Sequence, residues 1–448
     1  MSYISLSDKD KKEMLARIGV GSTAELFGCI PESIRLKRDL DLPAAQSEIE
    51  LVRMLEEIGR KNAYPRLLSF LGGGAYEHFI PTVVDYLSSR GEFVSPYTPY
   101  QPEVSQGTLQ VIFEFQTLIC QLTGLDIANA SLYEGATATA EAVLMAQRIA
   151  GRNRVIMARS LHPQYREVVR TYIKNLGVEA LEVPYGPDGR IERDALGRIL
   201  DDKTAAVVCQ SPNFFGVVED VRALSAAAHE AKALSVVIVA EAVSLGLLEA
   251  PGKLGADIVT GEAQSLGIPL SFGGPYLGFM ASKKEFLRQM PGRIAGQAVD
   301  REGRRGFVLT LSTREQHIRR ERATSNICTN QALCALRATV FMETLGKQGL
   351  RELAWQNAQK AAYAADRLGA VPGVKRRFTG PVFNEFVVEL AKPWPAVDAA
   401  LEGKGFVGGF GLGPAYPELK NAALVCVTEL KTKDQIDGLA RALQEVLS

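Results

Sequence analysis

The feature that most restricts the fold is an alternation of short apolar runs with helix-length segments, which begins near residue 67. The runs are rich in β-branched residues and lack a polar face, as residues 234–240 illustrate. Strands of this kind are buried on both sides, which is typical of a mostly parallel sheet covered by helices. Six such strands are predicted, at residues 155–158, 178–183, 205–209, 234–240, 257–260 and 276–281. The sequence therefore predicts an α/β fold, in which ligands bind beyond the carboxyl ends of the strands.

The same patterns divide the chain into three predicted parts. Residues 1–66 are predicted to form a helical arm, because apolar residues recur at helical spacing between residues 47 and 59. Residues 67–323 are predicted to form the large α/β domain. Residues 324–448 are predicted to form a linking helix, to about residue 368, and then a small α+β domain. Its predicted elements are strands at 383–390 and 422–427 and helices at 394–403 and 433–447.

Charge and hydropathy exclude two classes of partner. Lys plus Arg and Asp plus Glu each total 51 in this chain of 448 residues, so the net charge is zero. Nucleic acids and anionic membrane surfaces both favour a strong positive excess, so neither is expected as the main partner. No apolar run reaches the roughly 20 residues needed to span a bilayer, and no signal segment precedes the first helix. We expect a cytoplasmic protein.

The cysteines and histidines give no support to a metal site. The four histidines are dispersed, and the cysteines form no C-x-x-C pair. We interpret the cysteines as small buried thiols without disulfides. They are Cys29, Cys120, Cys209, Cys328, Cys334 and Cys426.

Polar residues follow three of the predicted strands. Some α/β chains activate amines through pyridoxal phosphate, which they bind as a Schiff base to a lysine at the end of a strand. Gln264 lies at the corresponding position, and an amide cannot form a Schiff base. Glu241 ends the strand at 234–240 and could pair with a pyridinium nitrogen or cap a neighbouring loop. His162 follows the strand at 155–158 and is either structural or directed into the ligand crevice.

Three glycine-containing segments are candidate phosphate sites. Gly135, Ala136 and Thr137 open a predicted helix, whose free N–H groups and dipole could hold a phosphate, or which could simply pack against the sheet. Residues 72–74 are three glycines that favour a turn. Residues 408–413 lack the dinucleotide spacing, and no P-loop string occurs.

Two further segments carry a functional and a structural interpretation. Residues 95–102 combine three prolines with two tyrosines, which excludes a helix or an inner strand and favours a rigid loop lining a site or an interface. Residues 301–322 are rich in arginine but interleaved with glutamate, which indicates a solvated, ion-paired face. Docking of an acidic protein is the alternative for that segment.

Long strings across nearly the whole chain resemble the glycine decarboxylase family, the P-protein of the glycine cleavage system. The similarity is to subunit 1, the N-terminal half in organisms that divide the enzyme into two chains. The strings are residues 97–107, 127–131, 267–269, 273–275, 313–320, 323–328, 416–419 and 427–429.

The resemblance implies a fold and a degenerate pocket. The fold is that of aspartate-aminotransferase-like, fold-type I pyridoxal enzymes, with a large mostly parallel domain and a small C-terminal domain. Gln264 falls at the lysine position, Glu241 at the position of the acid that pairs with the ring nitrogen, and His162 near the residue that stacks on the ring. Gly135, Ala136 and Thr137 match the phosphate loop. The chain is therefore expected to bind no cofactor covalently.

The resemblance also implies a reaction and partners. Glycine would be decarboxylated through pyridoxal phosphate held by subunit 2, and the aminomethyl group would pass to the lipoyl arm of the H-protein. The two subunits would form an α2β2 assembly that works with the other glycine cleavage components. Residues that this chain could contribute across the interface are Tyr97, Thr98, Tyr100 and Gln101.

Two alternatives remain open from sequence. One is a self-sufficient pyridoxal enzyme that uses another lysine, for which Lys283 and Lys284 are the nearest candidates, although they follow the strand at 276–281. The other is a purely structural or regulatory partner with no residue in the chemistry.

Overall fold

The computed structural model describes residues 5–448, which divide into two compact units, one ending at Ala63 and one running from Tyr64 to Ser448. The first unit contains helices α1 (Asp8–Ile18) and α2 (Glu48–Gly59). Each helix begins with a serine capping box, Ser7 with Asp10 and Ser47 with Glu50. The helix predicted between residues 47 and 59 is confirmed.

The second unit alternates helices and strands. Its helices are α3 (Thr82–Ser88), α4 (Gly91–Val94), α5 (Gln106–Thr123), α6 (Gly135–Ala150), α7 (Pro163–Ile173), α8 (Arg193–Ile199), α9 (Val221–Glu230), α10 (Gln316–Arg319), α11 (Ala332–Gly369), α12 (Trp394–Glu402) and α13 (Lys433–Leu447). Its strands are β1 (Leu68–Ser69), β2 (Ile127–Ala128), β3 (Arg154–Ala158), β4 (Glu179–Val183), β5 (Thr204–Gln210), β6 (Leu234–Val239), β7 (Ile258–Glu262), β8 (Gly278–Ser282), β9 (Ile294–Val299), β10 (Arg305–Thr310), β11 (Val374–Arg376), β12 (Glu385–Leu390), β13 (Phe406–Val407), β14 (Phe410–Gly411) and β15 (Ala422–Cys426).

A seven-stranded sheet forms the large domain, in the order β2-β8-β7-β6-β5-β3-β4. Five adjacent strands, β7, β6, β5, β3 and β4, run parallel to one another, and β8 is antiparallel to both of its neighbours, β2 and β7. Every residue of β5, β7 and β8 is buried, as expected for strands covered on both faces. The six predicted strands of a mostly parallel sheet are confirmed. The fold therefore brings the carboxyl ends of β3, β6 and β7 to one edge.

The small domain is a four-stranded antiparallel sheet in the order β11-β12-β15-β14, packed against α12, α13 and the second half of α11. The predicted strands and helices of this domain are confirmed, with β12 starting two residues later than expected. Residues 68–70 pack against this domain although they precede the large sheet in sequence. β1 pairs in parallel with β13, and the Phe70 carbonyl accepts a hydrogen bond from the Cys426 N–H at 2.9 Å. The chain then leaves Phe70 directly toward the carboxyl edge of the large sheet.

Three details differ from the predictions. The linking helix α11 begins at Ala332, not near residue 324, because residues 324–331 run as an irregular loop. The hairpin β9–β10 lies where a solvated arginine-rich face was expected to begin. Arg314 in that segment is buried and donates to the Gly292 carbonyl at 3.1 Å, so the solvated interpretation is wrong for this residue.

The cysteine prediction is correct in part. Cys209, Cys334 and Cys426 are buried free thiols. Cys29 and Cys328 are exposed, so the interpretation of buried thiols is wrong for these two. The sequence did not predict this exposure, since each of the two cysteines has an isoleucine beside it, Ile30 for Cys29 and Ile327 for Cys328.

Among residues 5–448, no helix combines the length and the apolar character that crossing a membrane requires.

Candidate functional site

The polar residues that follow β3, β6 and β7 lie around one irregular segment, residues 72–78, which we call the strap. The strap follows Phe70 and contains no helix or strand. His162 contacts Gly73 of the strap, Gln264 contacts Tyr76, and Glu241 contacts His78. The structure therefore brings these three predicted site residues to one place, with the strap between them.

Gln264 is buried, with 1% of its surface exposed, and its side-chain amide is fully hydrogen-bonded. Its Oε1 accepts the Tyr76 N–H at 2.8 Å. Its Nε2 donates to the carbonyls of Tyr76 at 3.0 Å and Ile268 at 2.7 Å. The amide thus makes a two-way pairing with the Tyr76 backbone that a lysine ammonium, which only donates, cannot reproduce.

The helix start at Gly135, Ala136 and Thr137 is occupied by carboxylates of the chain itself. Glu134, the N-cap of α6, accepts from the N–H groups of Ala136 and Thr137. The Gly135 N–H donates at 2.9 Å to Glu262, which is the last residue of β7. Carboxylates satisfy the free amides and the positive end of the helix dipole just as a phosphate would. No amide among these three is left for another anion.

Glu262 joins this helix start to Gln264. Its Oε1 accepts backbone N–H groups from Gln264 at 2.9 Å and Leu277 at 2.8 Å. Burial raises the pKa of Glu262 to about 7, although these backbone hydrogen bonds oppose the shift. Glu262 is therefore a buried connector between the helix start and the lysine position.

His162 is packed between aromatic rings and the strap. Its ring stacks on Tyr165 at a centroid distance of 4.6 Å and meets Phe214 edge-on at 4.8 Å. Its Nε2 lies 2.7 Å from the Gly73 carbonyl. Burial lowers the pKa of His162 to about 4, so the ring is neutral and donates from Nε2. The Tyr165 ring fills the space beside Gly135, where an added Cβ would lie 2.3 Å from the tyrosine oxygen.

His78 bridges the two domains through two carboxylates. Its Nε2 lies 3.1 Å from Glu241 of the large domain, and its Nδ1 lies 2.8 Å from Glu429 of the small domain. Burial lowers the pKa of His78, but the two carboxylates outweigh it and raise the pKa to about 10. Asn384 adds a direct contact, donating to Glu241 at 3.1 Å.

A second small-domain carboxylate, Glu385, holds the middle of the strap. It accepts the Gly73 N–H at 2.6 Å and the Tyr76 hydroxyl at 2.9 Å. Burial raises the pKa of Glu385 to about 7. Sequence reasoning missed the strap and its acidic partners. The triple glycine at 72–74 was the available signal, and it was interpreted as a turn.

The tyrosine loop at residues 95–102 contains no helix or strand, as predicted. Tyr97 is 85% exposed and lines a cavity of about 480 Å³ together with Tyr133 and Asn330. Gln101 is exposed and Thr98 half-buried. This loop therefore presents an aromatic ring and polar groups to its surroundings.

Tyr100 is held in place by a buried arginine. The Arg293 guanidinium lies over the Tyr100 ring at 5.5 Å and donates to its hydroxyl at 3.3 Å. The same guanidinium donates to the Cys328 carbonyl at 2.6 Å and the Asn330 Oδ1 at 3.2 Å. Arg293 thus joins the tyrosine loop to the loop before α11, and both loops line the cavity.

Comparison with known proteins gives one consistent result. Residues 1–443 match the family described as glycine cleavage system P-protein. The chain is 52% identical over 448 residues to a probable glycine dehydrogenase (decarboxylating) subunit 1 of Moorella thermoacetica, with both chains covered completely. It is 51% identical over 445 residues to the corresponding protein of Brevibacillus brevis, covering 99% of this chain and 98% of the relative. The chain belongs to the glycine cleavage system P-protein family. It is a member of the subunit 1 type, a glycine decarboxylase component that has at least one partner subunit.

Solved structures agree with this family assignment. A crystal structure of glycine decarboxylase (P-protein) of the glycine cleavage system, in inhibitor-bound form, superposes with a TM-score of 0.92 at 44% identity over all of both chains. A NifS-like protein superposes with a TM-score of 0.64 at 14% identity, covering 85% of this chain and 99% of that chain. A sphingosine-1-phosphate lyase of Burkholderia pseudomallei gives a TM-score of 0.66 at 16% identity, covering 93% and 94% of the two chains. The predicted fold-type I pyridoxal enzyme fold is confirmed.

The pocket of this P-protein family member does not fit pyridoxal phosphate. The predicted Schiff-base position, residue 264, holds an amide whose donors and acceptor are already hydrogen-bonded. The amides at the helix start already bind Glu134 and Glu262, and the negative charge of the acidic pair would repel a phosphate. Glu241, the candidate partner of the ring nitrogen, instead accepts from His78, Asn384 and the Val243 N–H.

Lys283 does not provide a substitute for the missing lysine. Its ammonium pairs with Asp257, which precedes β7, whereas Gln264 follows the other end of the same strand. The two positions therefore lie at opposite edges of the sheet. This geometry counts against a self-sufficient enzyme that uses Lys283.

Proposed function

We propose that this chain is the subunit of glycine decarboxylase that does not bind the coenzyme, and that subunit 2 holds pyridoxal phosphate in an α2β2 assembly. In this proposal the assembly decarboxylates glycine and transfers the aminomethyl group to the lipoyl arm of the H-protein, together with the other components of a cytoplasmic glycine cleavage system. The observation that carries the proposal is the closed hydrogen bonding of Gln264 at the lysine position. A chain with this pocket needs a second subunit to supply the coenzyme.

The tyrosine loop is the part of this chain that we assign to the shared active cavity. Tyr97 exposes most of its ring, and an exposed aromatic side chain beside a cavity is typical of a protein interface. Tyr100 is oriented by Arg293, so the loop has a defined shape before any partner binds. Thr98 and Gln101 add polar groups on the same loop. We infer that these residues complete the cavity around glycine or the lipoyl arm.

Reconstitution from separate chains tests the proposal. Each subunit is purified alone and the glycine-dependent release of CO₂ is measured with lipoylated H-protein, first for each chain and then for an equimolar mixture. We expect activity only in the mixture, with both chains present in one complex by size-exclusion chromatography. Turnover by this chain alone would overturn the proposal, as would full activity of subunit 2 in its absence.

A further inference from the structure

We infer that the strap, residues 72–78, is a built-in substitute for the coenzyme, which closes the pocket from within and joins the two domains across it. This inference goes beyond the proposed function, because it concerns what fills the pocket of this chain and does not depend on subunit 2. It also implies that the loss of the lysine is not the only barrier to coenzyme binding.

The strap backbone contacts two of the predicted pocket residues. His162, predicted to lie near the residue that stacks on the ring, and Gln264, at the predicted lysine position, form hydrogen bonds to strap backbone only three residues apart, at Gly73 and Tyr76. Gly74, between them, leaves no room for a side chain, since an added Cβ would lie 2.9 Å from His162 Nε2. The backbone of the strap therefore occupies the space in which the ring would be held.

The strap provides a hydrogen-bond partner for the polar group of each predicted pocket residue: the amide of Gln264, the ring of His162 and the carboxylate of Glu241. Buried polar groups without partners are costly, so a pocket that has lost its ligand requires a replacement for each of these contacts. The chain supplies the replacements with two backbone carbonyls and one imidazole of the same segment.

The strap also joins the large and the small domain. From the large domain it is bound by Gln264, His162 and Glu241. From the small domain it is bound by Glu385, Glu429 and Lys431, the last through Glu77 at 3.1 Å. Because each end and the middle of the strap are bound on both sides, the domains are fixed at the cleft where a coenzyme would otherwise bind.

Hydrogen exchange of the wild-type chain tests this inference. The amides of Gly73 and Tyr76 donate to buried acceptors, whereas in the described part of the chain the Gly74 amide has no acceptor. We expect Gly73 and Tyr76 to exchange on the order of 10²-fold more slowly than Gly74, with no change when pyridoxal phosphate is added. Equal, rapid exchange of all three amides would overturn the inference. If the chain still bound no coenzyme in that case, the proposed function would stand.

A lysine replacement gives the complementary test. Gln264→Lys restores the reactive amine but leaves the strap in place, and Gln264→Met is the control of similar length without an amine. We expect no pyridoxal absorbance and no borohydride-fixed adduct at residue 264, with both variants giving the same result. A stable pyridoxal adduct at residue 264 of the Gln264→Lys variant would contradict a closed pocket. Should both variants fail to fold, the exchange measurement on the wild-type chain still decides the question.

Discussion

The side-chain amide of Gln264 forms two hydrogen bonds with the backbone of Tyr76, a residue 188 positions earlier in the chain. The pairing uses the N–H and the carbonyl of one strap residue, in the manner of a strand pairing. It makes the predicted lysine position a structural contact. The consequences concern stability and assembly rather than chemistry at residue 264.

The substitution Gln264→Glu tests how much the side-chain amide of Gln264 contributes to the free energy of unfolding. The substitution keeps the acceptor for the Tyr76 N–H but replaces the donor with an oxygen that faces the carbonyls of Tyr76 and Ile268. We expect a loss of about 2–3 kcal/mol in the free energy of unfolding, since buried acceptors lose their donor. Urea denaturation followed by circular dichroism measures it. The control is Gln147→Glu in α6. Among residues 5–448 its half-buried side-chain amide bonds only Asn153, so we expect a loss of less than about 1 kcal/mol. Similar losses in both variants would show that Gln264 is not a special contact.

Gly74→Ala tests the closeness of the strap to His162. Gly74 has a φ of +108°, and its added Cβ would lie 2.9 Å from His162 Nε2. The control Gly177→Ala also has a positive φ, of +66°, but meets nothing within 4 Å. We expect both substitutions to lower the free energy of unfolding by about 1–2 kcal/mol, because alanine is strained at a positive φ. Gly74→Ala should lower it clearly further, because its Cβ also clashes with His162. Thermal unfolding compares them. An equal cost would mean that the strap and His162 separate without penalty.

The His78 bridge predicts a pH dependence of stability. The folded chain holds a proton on His78 up to about pH 10, whereas the unfolded chain loses it near the ordinary value of 6.5. The folded state therefore binds more protons between these values, so this contribution is complete below pH 6.5 and is lost as pH rises toward 10. Glu241 and Glu429 are the charged groups that face the imidazole.

His78→Gln isolates this contribution, because the other buried acids are present in both proteins. We expect the free energy of unfolding of the wild-type chain to fall more steeply between pH 7 and 10 than that of the variant. Just below pH 6.5, where His78 is protonated in both the folded and the unfolded chain, the difference between the two proteins should level off. Parallel curves over the alkaline range would show that His78 does not keep its proton between Glu241 and Glu429.

Tyr97→Phe tests whether this chain contributes to the chemistry or only to assembly. The substitution removes the hydroxyl of a ring that lines the cavity of about 480 Å³ without removing its apolar surface. We expect turnover of the two-chain enzyme to fall by about 10-fold or more, by loss of one positioned polar group, with the complex unchanged by size-exclusion chromatography. Tyr86→Phe is the control, since Tyr86 is also exposed but does not line that cavity. Normal turnover in both variants would favour a purely structural partner.

The sheet was predictable from the sequence because its strands are locally recognisable. The runs that became β5, β6 and β7 are mostly apolar, with only isolated polar residues such as Ser235 and Thr260, so their burial follows from the sequence itself. For the same reason the sequence alone predicts that Glu241, Gln264 and His162 lie at one edge of the sheet.

The filling of the pocket could not be predicted, because it depends on contacts between distant segments. Residues 72–74 have the composition of a turn, and only the position of β1 beside β13 directs them into the cleft. Glu385 and Glu429 lie more than three hundred residues from the strap, with no local pattern that marks them as its partners. The burial of Arg314 was missed for a related reason, since its segment is rich in charged residues while its carbonyl acceptor Gly292 lies in another loop.

The most direct test of the account is the titration of the isolated wild-type chain with excess pyridoxal phosphate, followed by borohydride reduction and peptide mapping by mass spectrometry. The account predicts no saturable coenzyme absorbance and no specifically modified lysine, while the same treatment of the two-chain complex labels only subunit 2. A stoichiometric adduct on one lysine of this chain, formed in the absence of subunit 2, would contradict it.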